Sequence, residues 1–99
     1  MREIKIKTEI MFSKDAEISF RFPINNSIRT SFWLEEEKDT IYCEVSFDRQ
    51  LIEIGEKILA VITFPNDFSF KDKLINGEKF HLGVYPIIIA NGEIINNIN

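Results

Sequence analysis

Hydrophobic and polar residues alternate with period two along most of the chain. One face of the first segment carries Ile4, Ile6, Ile10 and Phe12, whereas charged residues and Met11 occupy the other face. This is the pattern of a β-strand with one buried and one solvated face. The same alternation predicts three further strands, on Ile18, Phe20 and Phe22; on Ile28, Thr30, Phe32 and Leu34; and on Ile41, Cys43, Val45 and Phe47.

The second half of the chain also predicts strands. Residues 57–64 are rich in β-branched and aromatic side chains, which predicts a largely buried strand. After a long connection, from which Phe68 and Phe70 are expected to fold back onto the core, come the last two strands. We expect the first of them on Phe80 and Leu82, and the second on Ile87 to Ala90 and Ile94 to Ile98. A turn is expected at Gly83 to Pro86, and a kink or bulge is expected at Asn91-Gly92 within the closing strand.

Turn residues punctuate these segments. Pro23 lacks an amide proton and is expected to end the second strand, and a turn is expected at residues 25–27. Lys38-Asp39 is predicted to be a two-residue hairpin loop. Leu34 would then face Cys43 and Phe32 would face Val45, all inward. The same register sends outward Arg29, Trp33, Glu35, Tyr42, Glu44 and Asp48, with Arg29 opposite Asp48.

Composition narrows the class of protein. Ninety-nine residues with no repeat or linker predict one domain, spanning 1–99. The formal charge of −4 disfavours nucleic acid as a partner, and the acidic excess lies in residues 32–48. Cys43 is the only cysteine, so no internal disulfide can form. No apolar run approaches the roughly 20 residues of a membrane span, so we expect a cytoplasmic protein that does not enter the membrane.

No constellation of residues predicts catalysis. His81 is the only histidine and is expected to be a plain surface residue, whereas Cys43 is expected to be a buried small hydrophobe. Glu35, Glu36 and Glu37 predict a solvated hairpin tip, because they alternate faces and lack the spacing of a calcium loop. Gly77 is expected to permit a positive φ in a turn. We therefore predict a protein that is not an enzyme, with no catalytic, cofactor or metal site.

A family resemblance spans most of the chain. Ile28-Arg29-Thr30-Ser31-Phe32-Trp33-Leu34 resembles the strand Tyr-Arg-Pro-Gln-Phe-Tyr-Phe in the C-terminal β-barrel of elongation factor Tu and related translational GTPases. Gly77-Glu78-Lys79-Phe80-His81-Leu82 resembles the Gly-Leu-Arg-Phe-Ala-Ile of the same barrel, and residues 8–15 and 52–58 resemble its opening strand and its Met-Pro-Gly-Asp-Asn-Ile segment. The resemblance implies an all-β fold, a single small six-stranded antiparallel closed barrel. The strand pattern favours the same architecture.

The chain also departs from that family in ways that bear on function. It has no Gly-x-x-x-x-Gly-Lys-Ser/Thr phosphate loop, so we expect neither nucleotide binding nor GTP hydrolysis. Gly83 and Ile87 stand where the family keeps arginines that receive tRNA, and only Gly92 of that glycine-rich segment is retained. Glu35 stands where the family has another arginine. The resemblance implies tRNA binding, but a carboxylate facing phosphate would replace attraction with repulsion.

Three hypotheses for function follow. The first is a non-catalytic interaction module that binds a protein partner through an outward face made of Arg29, Trp33, Glu35, Tyr42 and Glu44. The alternative for Trp33 is that another loop covers it. The second is RNA binding, as the resemblance implies, with basic contacts from Lys5, Lys7, Arg21 and Arg29. The third is an acidic inhibitor or immunity-type protein that covers the basic site of a toxin.

Overall fold

Six antiparallel strands close into a barrel in the computed structural model, which describes residues 3–18, 20–22, 24, 27–49, 51–65 and 68–98. The strands are β1 (Ile4–Phe12), β2 (Ile28–Leu34), β3 (Ile41–Phe47), β4 (Lys57–Phe64), β5 (Lys79–Val84) and β6 (Ile87–Asn97). Around the barrel they follow the order β1-β4-β3-β2-β5-β6 and return to β1. Two short 3₁₀ helices, Lys14–Ile18 and Lys71–Lys73, lie in the connections. The predicted fold class is therefore confirmed.

Alternation along the strands divides each one between the core and the outer face. In β1 the side chains of Ile6, Ile10 and Phe12 are buried while those of Lys5 and Lys7 are exposed. β4 forms where the sequence predicted a strand and alternates in the same way, so its inner face is buried while its outer face is only partly so, with Leu59 37% exposed. The β-branched content of residues 57–64 indicates a strand, but only one face of a barrel strand looks inward.

Phenylalanine rings fill much of the core. The ring of Phe32 stacks on Phe80 with centroids 4.8 Å apart and meets the edge of Phe64 at 4.9 Å. Phe70 is buried and Phe68 packs partly buried against the same cluster, as the sequence predicted. Burying a side chain of this size stabilises the fold by about 1.5–3 kcal/mol, so these rings contribute much of the driving force.

The described residues of the predicted second strand form no strand. Its Ile18 ends the first 3₁₀ helix with its side chain exposed, and Phe20 and Phe22 pack partly buried against the core. Every barrel strand already has a neighbour on both edges, so this segment has no edge to join. The predicted strand end at Pro23 and the predicted turn residues Asn25 and Asn26 lie outside the described residues.

The β2–β3 hairpin has the predicted faces but another register. Phe32 pairs with Ile41 and Thr30 with Cys43, and residues 35–40 form the connection instead of Lys38-Asp39 alone. A two-residue hairpin loop needs positive φ at both positions in a type I′ turn or at the first position in a type II′ turn, and Lys38-Asp39 lacks the glycine that favours either. The displacement is an even number of residues, so each side chain keeps its face. Arg29 consequently pairs with Glu44 and not with Asp48.

The last two strands run longer than the sequence predicted. Gly83 and Val84 still belong to β5, and Tyr85-Pro86, joined by a cis peptide bond, makes the turn. The register shifts between Leu82 and Gly83, and again between Lys7 and Thr8 on the other edge of β6, so the bulges do not lie at Asn91-Gly92 as predicted. Gly77 has the positive φ expected of it, at 92°.

Two buried hydroxyls add side-chain hydrogen bonds to the strand pairing. Thr30 Oγ1 donates to the carbonyl oxygen of Gly83 at 3.0 Å, one position beyond the Ser31–Leu34 stretch over which β2 pairs with β5. Thr8 Oγ1 donates to the carbonyl oxygen of Ala60 at 3.0 Å between β1 and β4. Both polar groups are therefore satisfied inside the barrel, where an unpaired hydroxyl would be destabilising.

Candidate functional site

The five residues predicted to form one face separate into two neighbourhoods. Arg29 and Glu44 are cross-strand partners, with Arg29 Nε 3.5 Å from Glu44 Oε2, and Tyr42 lies beside them on β3 with 57% of its surface exposed. These three residues line a shallow groove of about 300 Å³ together with Glu3, Cys43, Thr63 and Pro65. Trp33 and Glu35 do not line it, because they lie at the far end of β2 beside β5.

Trp33 is buried, so of the two alternatives that the sequence left open, an exposed residue or one covered by another loop, the second holds. It lies between Phe32 and Leu34, which belong to the core cluster, and it pairs with His81 across the strands. Only 3% of its surface is exposed, and the ring of Tyr85 meets it edge-on at 5.2 Å. Alternation assigns a side chain to a face of the sheet, but it carries no information about a turn that folds over that face. Trp33 is therefore removed from the partner-binding residues.

The His81 side chain is mostly covered and contacts neighbouring polar residues, so it is not the plain surface residue that the sequence predicted. Its side chain is 14% exposed, and its Nδ1 lies 2.7 Å from Asn91 Oδ1. Its Nε2 lies 3.8 Å from Glu35 Oε1, and its ring lies 5.9 Å from that of Trp33. Sequence reasoning missed Asn91, because only the β5–β6 register brings positions 81 and 91 together.

An outer-face groove surrounds this histidine. It has a volume of about 290 Å³, and polar side chains from several strands line it: Glu9, Glu35, Lys57, Lys79, His81, Asn91 and Glu93. Met11 lies among them, because it pairs with Asn91 on one edge of β1 and with Lys57 on the other. The groove carries one more carboxylate than ammonium group, which favours a cation over an anion.

A third groove joins Tyr42 to the β5–β6 turn. It has a volume of about 300 Å³ and is lined by Phe20, Arg29, Thr30, Ser31, Tyr42, Gly83, Val84 and Ile89. Val84 begins a run of four exposed apolar residues that continues through Tyr85 and Pro86 to Ile87. Because Val84 and Tyr42 line the same groove, this exposed turn adjoins the exposed tyrosine, and a partner can cover both.

Cys43 and Glu37 have structural roles. Burial raises the pKa of the Cys43 thiol from 9.0 to about 12, because a thiolate in the core would lose its hydration, and the prediction of a buried small hydrophobe is confirmed. Glu35 and Glu36 are exposed, while Glu37 is half-buried and forms an ion pair with Lys73. That pair raises the pKa of the Lys73 ammonium through the hydrogen bond and the charge of Glu37, and it links two connections of the barrel.

Among the described residues, no three or more His, Cys, Asp or Glu side chains lie close enough together to hold a metal ion. The part of the chain that the structure describes also has no helix with the length and apolar character needed to cross a membrane. Neither protein-family models nor curated protein sequences give a match to the chain. The similarity to elongation factor Tu therefore stays a prediction from the quoted residues.

Proposed function

We propose that this barrel is a non-catalytic module that binds a protein partner through a surface centred on Tyr42. We name it the Tyr42 surface, and it consists of Arg29, Tyr42 and Glu44 together with the exposed turn residues Val84 to Ile87. The supporting observation is that the exposed residues Tyr42 and Arg29 line two shallow grooves at once. One of these grooves also reaches Val84, where the exposed apolar turn begins.

The residue types and their placement suit protein recognition. Tyrosine and arginine are enriched among the residues that contribute most to binding in protein interfaces. Tyr42 supplies apolar area with few rotatable bonds. The guanidinium of Arg29, whose side chain is 69% exposed, contacts Glu44 through Nε. Its terminal amino groups can therefore approach a carboxylate of a partner in bidentate geometry.

The proposal modifies the face expected from the sequence. Arg29, Tyr42 and Glu44 stay in it, Trp33 leaves it because the residue is buried, and Glu35 leaves it because it lines the outer-face groove. The β5–β6 turn joins it. The relation to the C-terminal barrel of translational GTPases is kept as a hypothesis about origin and adds no residue to the surface.

A pull-down from native lysate with three variants tests the proposal. We expect Tyr42→Ala and Arg29→Glu to reduce recovery of a specific partner at least tenfold, on the scale of a single interface hot spot of about 1.4 kcal/mol or more. Ile75→Ala is the matched control, because Ile75 and Tyr42 are both 57% exposed and Ile75 lines none of the grooves described above. Identical partner lists for wild type and Tyr42→Ala would remove the surface from consideration.

A tRNA titration at low salt separates the RNA hypothesis from this one. On the protein-binding proposal we expect no affinity tighter than about 0.1 mM, the weak end of non-specific nucleic-acid binding. Micromolar binding that weakens steeply with salt would favour the RNA hypothesis instead.

A further inference from the structure

Glu35, His81 and Asn91 are arranged like two metal ligands and a residue that orients one of them. Glu35 and His81 are in the positions of the ligands, and Asn91 is hydrogen-bonded to the His81 ring. The oxygen of the Asn91 amide can only accept a hydrogen bond, so the His81 Nδ1 at 2.7 Å carries the ring proton. In the neutral ring Nε2 then keeps its lone pair and faces Glu35. A histidine whose second nitrogen donates to an oxygen acceptor is the common arrangement at protein metal sites, because the hydrogen bond sets both tautomer and ring orientation.

The separation of the two candidate ligands is close to what a metal ion requires. Nitrogen and carboxylate ligands lie about 2.0–2.2 Å from zinc, so two of them at a tetrahedral angle lie about 3.4 Å apart. His81 Nε2 and Glu35 Oε1 are 3.8 Å apart, which leaves about 0.4 Å to close. The Glu35 side chain can move by this distance, because it is 49% exposed. Its backbone stays in place, because its N–H donates to the Lys79 carbonyl oxygen at 3.0 Å.

We propose that His81 and Glu35 form a binding site for a divalent transition-metal ion of the kind that imidazole prefers, such as Zn²⁺ or Cu²⁺. Two protein ligands hold the ion in the outer-face groove and water completes its coordination. Asn91 is the positioning residue, because it orients the ring without contacting the metal. The excess of carboxylates in the groove favours the positive ion. The site is separate from the Tyr42 surface.

The single tryptophan provides a direct readout on the intact protein. Trp33 is the only tryptophan in the chain, and its ring lies 5.9 Å from that of His81, so Cu²⁺ bound at Nε2 will quench its fluorescence. We expect saturable quenching of the wild type by Cu²⁺ that a chelator reverses and that excess Zn²⁺ reduces by competition. Cu²⁺ is the probe because it binds nitrogen and oxygen sites most tightly among these ions.

Three variants and a matched control decide the proposal. We expect His81→Asn to abolish saturable quenching and Glu35→Gln and Asn91→Ala each to weaken it about tenfold. Glu36→Gln leaves it unchanged, because Glu36 is the exposed neighbour on the same turn and does not line the groove. Absence of saturable quenching in the wild type would overturn the proposal, as would equal affinity in Glu35→Gln and Glu36→Gln. Both glutamates are exposed, so this comparison holds even if His81→Asn fails to fold.

Discussion

Cys43 shows at the scale of one residue how burial sets chemistry. The folded state raises the pKa of its thiol from 9.0 to about 12. Below pH 9 the thiol is protonated in the folded and the unfolded chain alike, so it adds no pH dependence there. Between pH 9 and 12 the unfolded chain loses this proton while the folded chain keeps it, so the free energy of unfolding falls as the pH rises.

This difference predicts a measurable effect on stability. Between about pH 8 and about pH 10.5, the wild type should lose about 2 kcal/mol more than Cys43→Ala, since each pKa unit corresponds to about 1.4 kcal/mol. Urea unfolding of both proteins at the two pH values measures it, and the variant subtracts the titration of all other groups. Parallel pH profiles for the two proteins would show that the Cys43 thiol ionises equally easily in both states.

Trp33 and Tyr42 show how far the alternation of hydrophobic and polar residues predicts the candidate site. Both were expected on the outer face, yet one is 3% exposed and the other 57%. The rings of Tyr85 and His81 both lie beside Trp33, and both come from residues more than forty-five positions away in the chain. The surroundings of His81 likewise depend on residues from other segments of the chain, such as Asn91 of β6. Alternation therefore predicted which side chains face outward, but not which of them a neighbour covers.

At the scale of an element, β6 must approach its neighbours closely at Gly92. This residue pairs with Phe80 on one edge and with Ile10 on the other. A Cβ atom at Gly92 would lie 2.2 Å from Phe80 Cζ and 2.8 Å from Ile10 Cγ2. The Phe80 ring stacks on Phe32 in the core and has no room to withdraw.

We therefore expect Gly92→Ala to destabilise the protein by about 1–3 kcal/mol through overpacking. Urea unfolding gives the value, and Glu93→Ala, at the exposed neighbouring position, should change stability by less than about 0.5 kcal/mol. Adding Phe80→Leu should make the Gly92→Ala cost smaller than it is alone, because the two side chains compete for one space. A Gly92→Ala protein as stable as the wild type would show that the strand can separate there at no cost.

The β2–β3 hairpin shows why register is harder to predict than strand type. The sequence placed both strands and both faces correctly, but it placed the loop at Lys38-Asp39. The end of β2 pairs with β5 instead, with Leu34 opposite Phe80 and the Glu35 N–H donating to Lys79. A shift by an even number of residues leaves the hydrophobic pattern satisfied, so that pattern alone cannot choose between the two registers.

The whole molecule depends on one closing element. β6 pairs with β1 on one edge and with β5 on the other, and beyond it the Ile98 N–H donates to the Lys5 carbonyl oxygen at 3.0 Å. Lys5, near the start of the described residues, and Ile98, at their end, therefore lie side by side. Without β6 the barrel would have two open edges and would lose Ile89, Ala90 and Ile94 from its core.

Because the strands form a closed barrel, we expect folding to require all six strands but not their present order along the chain. A fragment ending at Pro86 should give the amide spectrum of an unfolded chain. A circular permutant with a short Gly-Ser linker between the original ends and new ends at Lys38-Asp39 should keep a dispersed spectrum and unfold cooperatively. Both residues at the new ends are exposed and lie in the loop. A dispersed spectrum from the fragment would contradict the prediction, as would a disordered permutant.

The sequence by itself determined the all-β class, the location of the six barrel strands along the chain and, in β1 to β3, which side chains face inward. These properties follow from period-two burial, which is local to each strand. Only the tertiary structure decided the hairpin register, the packing of Phe20 and Phe22 against the core, the cover over Trp33 and the environment of His81. Each of these depends on contacts between segments far apart in the chain, where several arrangements satisfy the same local pattern and packing selects one.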